Sequence, residues 1–137
     1  MPVCLQVQGW HVLDPVLRRE GRSPVKKYLN KRTVVGGIPF DSKREAERWG
    51  HLCILQRAGR ITDLQRQVPF ELAPPVKFEG SSRKKPAIRF IADFVYRENG
   101  ARIVEDVKSE ITAKLPAFQL KRHLMKHLHG IDVRITT

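Results

Sequence analysis

Residues 88–108 read IRFIADFVYRENGARIVEDVK, and this stretch decides the fold. Two runs rich in β-branched and aromatic residues flank Asn99 and Gly100. Both residues tolerate positive φ, which the tight turn of a β-hairpin requires. The pattern therefore predicts two antiparallel strands, over roughly 87–96 and 102–109.

Charged residues interrupt both apolar runs of this hairpin. Alternate residues of a strand share a face, so Asp106 and Lys108 point one way while Glu105 and Val107 point the other. A charge set into an apolar strand is costly unless it is paired or binds a metal. The hairpin brings Asp93 towards Asp106, and two carboxylates beside a lysine indicate an oxygen-ligand Mg²⁺ site. The alternative is a surface ion pair between Asp106 and Lys108 on an edge strand.

The composition indicates a basic protein with one domain. The chain has 137 residues, with 26 Lys and Arg against 14 Asp and Glu, a formal charge of +12. Such an excess favours a polyanionic partner, above all nucleic acid, although an acidic membrane surface or an acidic protein would also attract it. No apolar run approaches the ~20 residues of a membrane span, and we expect no secretory signal. The cysteines Cys4 and Cys53 fit a reduced, cytoplasmic setting, with Cys53 buried in a helix.

The first 30 residues are expected to form a basic N-terminal arm. Gly21, Ser23 and Pro24 argue against one continuous helix in its basic part. The arm could lie along phosphates, exchange between protomers of a dimer, or be a solvated tail. Its candidate phosphate contacts, continued into the next residues, are Arg18, Arg19, Lys26, Lys27, Lys31 and Arg32.

A small hairpin and a helix are predicted next. Residues 33–40 pair around a Gly-Gly turn. Ser42 and Glu45 have the spacing of a capping box, so a helix should begin there and end near Ala58, before Gly59. Glu45 has two interpretations, because it could bond back to the helix terminus or face the hairpin carboxylates.

Two further strands and a second helix complete the pattern. Residues 65–72 should form a strand in which Gln67 is an ordinary polar residue, and 73–86 a basic loop. A helix should begin at Pro116, and a strand should cover 131–135. The expected buried side of that helix is Phe118, Leu120, Leu124, Met125 and Leu128. His123 and His127 have the i, i+4 spacing of a metal pair, but phosphate contact or plain exposure is favoured.

These residues resemble the PD-(D/E)XK nuclease superfamily, with Asp93 as its first acid and Asp106-Val107-Lys108 as its second element. Ala92 stands where the superfamily's proline would be. Residues 37–46, Gly-x-x-Phe-Asp-Ser-Lys-x-Glu-Ala, are similar to a run in small phage endonucleases and junction resolvases. The resemblance covers about 31–135. It implies an α/β fold, a mixed sheet with a restriction-endonuclease-like α-β-β-β-α-β core, in a nuclease-like domain over 31–137.

The resemblance also implies a Mg²⁺-dependent endonuclease in which Mn²⁺ can substitute. Asp93, Asp106 and the carbonyl of Val107 would hold the metal. Glu45 would be a further metal or water ligand, and Lys108 would orient the attacking water. Beyond the arm, the candidate DNA contacts are Lys84, Lys85, Lys114, Lys121 and Arg122.

Small phage relatives in this superfamily suggest a particular substrate and assembly. They imply cleavage of branched DNA such as a Holliday junction, by a homodimer, in the cytoplasm of a bacterial host, with no membrane partner. A sequence-directed endonuclease is the nearest alternative. A non-catalytic nucleic-acid-binding protein with the same fold, an RNA-binding ribosomal-type protein and an adaptor for an acidic protein are the others.

Overall fold

The computed structural model describes residues 31–137. The predicted arm, with Arg18, Arg19, Lys26 and Lys27, lies outside the described residues. The elements, in chain order, are β1 (Thr33–Val35), β2 (Ile38–Phe40), α1 (Lys43–Arg57), β3 (Thr62–Ala73), β4 (Ile88–Glu98), β5 (Ala101–Val107), α2 (Glu110–Ala113), α3 (Pro116–His129) and β6 (Arg134–Thr136).

The hairpin predicted from residues 88–108 is confirmed as β4 and β5, which pair antiparallel. Asn99 has φ 50° and Gly100 has φ 78°, so both turn residues use the left-handed region that Asn and Gly tolerate. The first strand extends two residues beyond the predicted end, and the second ends two residues earlier, at Val107.

A four-stranded mixed sheet forms the centre of the fold, in the order β3-β4-β5-β6. The first three strands are antiparallel neighbours, and β6 runs parallel to β5 after the crossover through α2 and α3. The small β1–β2 hairpin forms a separate two-stranded sheet. After that hairpin the elements follow the order α-β-β-β-α-β, apart from the short α2, so the predicted mixed α/β fold class is confirmed.

The first helix begins and ends where the capping pattern predicted. Ser42 is its N-cap, and the Ser42 hydroxyl accepts from the backbone N–H of Glu45 at 3.1 Å. The chain leaves the helix after Ala58 through Gly59, which has φ 74°. Cys53 is buried on this helix, as predicted.

Two apolar clusters hold the helices to the sheet. One joins α1 to Leu64, Phe94 and Tyr96, and the other joins α3 to residues that include Val68 and Ala92. In a regular strand even-numbered residues stay on one face. On β3 they pass from the α1 cluster at residue 64 to the α3 cluster at residue 68, and on β4 they pass from the α3 cluster at residue 92 to the α1 cluster at residue 94. The even-numbered side chains therefore change face at residue 67 of β3 and at residue 93 of β4.

Parts of the second half differ from the prediction. Phe118 and Met125 are buried, but Leu120 is 62% exposed and Leu128 is 48% exposed. The contact stripe of α3 is narrow, because it meets the sheet through positions seven residues apart, and these two leucines lie beside it. The four-residue α2 was not predicted. The final strand, β6, begins at Arg134 and ends at Thr136, so it begins later than the predicted strand over 131–135 and ends one residue beyond it.

Candidate metal and nucleic-acid site

Three polar side chains lie in one row across the sheet. The pair Phe94–Glu105 places Asp93 opposite Asp106 on β4 and β5. The pairs Arg66–Phe94 and Val68–Ala92 place Gln67 opposite Asp93 on β3. Since directly opposed residues of antiparallel strands share a face, the row Gln67–Asp93–Asp106 converges on one side of the sheet. The predicted meeting of the two aspartates is therefore confirmed by the register.

The Asp93 side chain accepts a hydrogen bond from the backbone of the neighbouring strand. Its Oδ2 accepts from the backbone N–H of Val107 at 2.7 Å, just beyond the last β4–β5 pair. Burial and the nearby charge of Asp106 raise the pKa of Asp93 to about 7. In the metal-free protein this carboxyl therefore keeps its proton to a higher pH than an ordinary aspartate does.

Asp106 is 2% exposed and carries the second carboxylate. Lys108 Nζ lies 2.9 Å from Asp106 Oδ2. Apart from this ion pair, the buried oxygen has no hydrogen-bond partner among residues 31–137. Burial raises the pKa of Asp106 despite the opposing effect of Lys108. The ion pair of the alternative interpretation is present, but its acid is buried and β5 is a central strand, so the predicted position at the surface of an edge strand is wrong.

Glu45 fulfils part of both interpretations of its role. Its backbone N–H is capped by Ser42, while its side chain is buried and its Oε1 accepts from Gln67 Nε2 at 3.2 Å. Burial and the charge of Asp41 raise the pKa of Glu45. The carboxyl thus faces the hairpin acids through an intervening amide.

Gln67 is more than the ordinary strand residue that was predicted. Its amide nitrogen also lies 3.5 Å from Asp93 Oδ1, so it bridges Glu45 and Asp93. Its φ is 54°, which is uncommon for a residue with a side chain in the middle of a strand. Nothing in the sequence around Gln67 signals this conformation, because no glycine or turn residue marks it.

The donor set suits a hard divalent cation. Two carboxylates lie together, and the buried Oδ2 of Asp106 is paired with Lys108 but has no hydrogen-bond partner in the part of the chain that the structure describes. Within residues 31–137, no three His, Cys, Asp or Glu side chains form a group that could hold a metal. Mg²⁺ is commonly bound by one or two carboxylates, with water and substrate phosphates completing the shell. Asp93, Asp106 and the carbonyl of Val107 fit that pattern, and Glu45 stands behind Gln67.

A third buried acid, Glu105, was missed by the sequence reasoning. Glu105 is 0% exposed and projects towards α1, where Arg48 binds both of its oxygens. The Tyr96 hydroxyl donates to the same carboxylate at 2.8 Å and accepts from Arg134 at 3.1 Å. Burial alone would raise the pKa of Glu105, but the hydrogen bonds from Arg48 and Tyr96 hold it below its ordinary value. The network ties β5 to both α1 and β6.

The predicted DNA contacts in the described region lie at the surface. Two lie before β1 and two lie in the loop before β4, while Lys114 is the C-cap of α2 and the last two lie on α3. All are exposed except Lys121, which is half-buried: Lys31, Arg32, Lys84, Lys85, Lys114 and Arg122. His123 and His127 are exposed as well, and no metal group includes them.

The fold and the site define a mixed α/β domain with a paired-carboxylate centre. By sequence, the chain belongs to the DUF1064 family, described as a protein family of unknown function, whose model matches residues 25–136. No curated protein and no solved structure matches the chain. Across residues 31–137, every helix is too short or too polar to cross a membrane.

Proposed function

We propose that this protein is a Mg²⁺-dependent DNA endonuclease that hydrolyses phosphodiester bonds. The observation that carries the proposal is the arrangement of Asp93 opposite Asp106, with Lys108 Nζ 2.9 Å from Asp106. Two carboxylates and a lysine on adjacent strands supply cation ligands and a positive charge at one point. The resemblance to PD-(D/E)XK nucleases and the formal charge of +12 support the same reaction and substrate.

The side chains would divide the work by position. Asp93, Asp106 and the Val107 carbonyl would hold Mg²⁺, which when bound neutralises phosphate charge and makes water more acidic. The Val107 N–H fixes the Asp93 carboxylate, and Gln67 spaces Asp93 from Glu45. Lys108 is partly exposed, so its ammonium can turn from Asp106 towards a phosphate and stabilise the charge that develops there.

A cleavage assay with matched variants tests this function. The substrates are a labelled four-way junction and a linear duplex of the same sequence, each with Mg²⁺ or with chelator. We expect Mg²⁺-dependent nicks from the wild type, none from Asp106→Asn, and wild-type activity from Glu47→Gln. Glu47 is a suitable control because it is an acid on the same helix as Glu45 with a 66% exposed side chain. Cleavage that persists in Asp106→Asn would refute the site.

A non-catalytic nucleic-acid-binding role is the second candidate. It is favoured by the formal charge of +12, which attracts polyanions with or without a metal site. Binding of every DNA form that weakens with salt, with no cutting in Mg²⁺ or Mn²⁺, would support it. Paired, symmetric nicks in the junction would instead support a homodimeric nuclease, because two active sites related by a twofold axis are then required.

A further inference from the structure

The loop between β3 and β4 is an ordered, hairpin-like projection. Val76 and Lys85 exchange backbone hydrogen bonds of 3.2 and 2.7 Å, which close the loop at its base. At its tip, Ser81 N–H donates to the Phe78 carbonyl at 3.1 Å, and Gly80 has φ 76°. Residues 77–84 therefore form a braced projection with a turn at residues 78–81.

An apolar side chain stands at the tip of this projection. Phe78 is 61% exposed, and at the base Val76 is 44% and Ile88 is 50% exposed. An exposed phenylalanine on a braced loop contributes nothing to the cores that the fold builds around α1 and α3. Apolar side chains exposed together on one structural unit are typical of a contact surface.

The charge around Phe78 indicates the nature of the partner. Four basic residues accompany a single acid, Glu79, on this projection: Lys77, Arg83, Lys84 and Lys85. Basic residues suit phosphates, but a continuous duplex offers phosphates without an apolar face. An unpaired base offers both, since its ring stacks on an aromatic side chain while its phosphate pairs with lysine or arginine.

We propose that residues 76–85 form a wedge that stacks Phe78 on unpaired bases at a branch point in DNA. The wedge binds DNA whether or not the chain cleaves it; its meaning for substrate choice rests on the proposed nuclease function. Ile88, at the foot of the loop, is five residues from Asp93, roughly 17 Å of strand. A duplex lying along β4 would place the cut about five base-pair steps or more from the stacked base.

Binding in chelator isolates the wedge from cleavage. Wild type, Phe78→Ala, Phe78→Trp and Ile54→Ala are titrated against a four-way junction and a linear duplex. A fluorescent 2-aminopurine at the branch point reports stacking. Ile54 is the matched control, an apolar residue on α1 that is 62% exposed. We expect Phe78→Ala to reduce the ratio of junction to duplex affinity about tenfold and to lose the fluorescence quench. Phe78→Trp should retain both, and Ile54→Ala should match the wild type.

Each contrary result overturns the wedge. An unchanged affinity ratio in Phe78→Ala would show that Phe78 contacts no unpaired base. A change of oligomeric state in Phe78→Ala by light scattering would assign the surface to a second copy of the chain. The two proposals can fail separately. If Phe78→Ala loses selective binding but the wild type cleaves no DNA, the wedge is supported and the nuclease function is refuted. If the wild type cleaves DNA but Phe78→Ala keeps the wild-type affinity ratio, the nuclease function is supported and the wedge is refuted.

Discussion

Arg48 forms a two-point ion pair with Glu105, the residue directly before the site acid Asp106. Arg48 Nε lies 2.5 Å from one carboxylate oxygen and Nη2 lies 2.9 Å from the other. Glu105 is fully buried, and its neighbour Asp106 projects to the opposite face of β5. Strand β5 thus directs Glu105, whose charge Arg48 neutralises, towards α1. It directs Asp106, which pairs with Lys108, towards the proposed metal site.

Removing the arginine should destabilise the fold. Arg48→Met leaves the buried Glu105 carboxylate without its partner, which should cost about 3 kcal/mol of unfolding free energy. Urea denaturation followed by circular dichroism measures the change. Arg44→Met, on the exposed face of the same helix, should lie within about 0.5 kcal/mol of the wild type.

A double variant separates the ion pair from simple loss of packing. Arg48→Met with Glu105→Met replaces both charges by apolar groups, so it should recover much of the lost stability. A double variant no more stable than Arg48→Met would show that the unpaired charge is not the cause.

Metal binding should depend on both aspartates of the row. Titration of the DNA-free protein with Mn²⁺, followed by electron paramagnetic resonance, reports binding without any cleavage. We expect the wild type and Glu47→Gln to bind, and Asp93→Asn and Asp106→Asn to lose most of the affinity, because each removes one of two carboxylate ligands. Equal affinity in all four proteins would place the metal elsewhere.

Gln67 should lower the stability of the fold while supporting the geometry of the site. Its φ of 54° is strained for glutamine and free of strain for glycine, so Gln67→Gly should raise the unfolding free energy by about 1 kcal/mol. The same change removes the amide that spaces Glu45 from Asp93, so Mn²⁺ affinity and any Mg²⁺-dependent cleavage should fall about 10- to 100-fold.

Asp63→Gly is the matched control for this backbone effect. Asp63 has φ 53° on the same strand, and its side chain is 71% exposed. The control should gain a similar stability, with metal affinity unchanged. A parallel loss of metal affinity in both variants would mean that the strand geometry, and not the Gln67 amide, matters.

The elements with strong local signals could be predicted from the sequence. The Asn99-Gly100 turn, the Ser42 cap and the Gly59 stop each follow from the residue's own conformational preference. The meeting of Asp93 with Asp106 followed from the hairpin register, because a turn of known length fixes which residues face each other.

Features that depend on tertiary contacts could not be predicted. The positive φ of Gln67 arises where β3 and β4 turn over between the α1 and α3 clusters, and no local residue signals it. The pairing of Arg48 with Glu105 joins residues 57 positions apart. The exposure of Leu120 and Leu128 depends on how narrowly α3 meets the sheet.

The stability of the metal-free protein should fall as pH rises from about 5 to 8. The pKa of Asp93 is raised from an ordinary 3.8 to about 7, so between these values the folded state binds more protons than the unfolded state. Unfolding then releases protons, and higher pH favours the unfolded chain. The raised pKa values of Glu45 and Asp106 act in the same direction, whereas the lowered pKa of Glu105 acts only below this range.

Urea denaturation at pH 5, 6, 7 and 8 in chelator measures this dependence. Asp93→Asn should flatten the decline, because it removes a carboxyl whose pKa of about 7 lies within this range. Added Mg²⁺ should restore wild-type stability most at pH 8, where the ionised carboxylates are free to bind it, and should do little for Asp93→Asn. If the unfolding free energies of the wild type and Asp93→Asn depend on pH in the same way, Asp93 and Asp106 do not share a low-dielectric site.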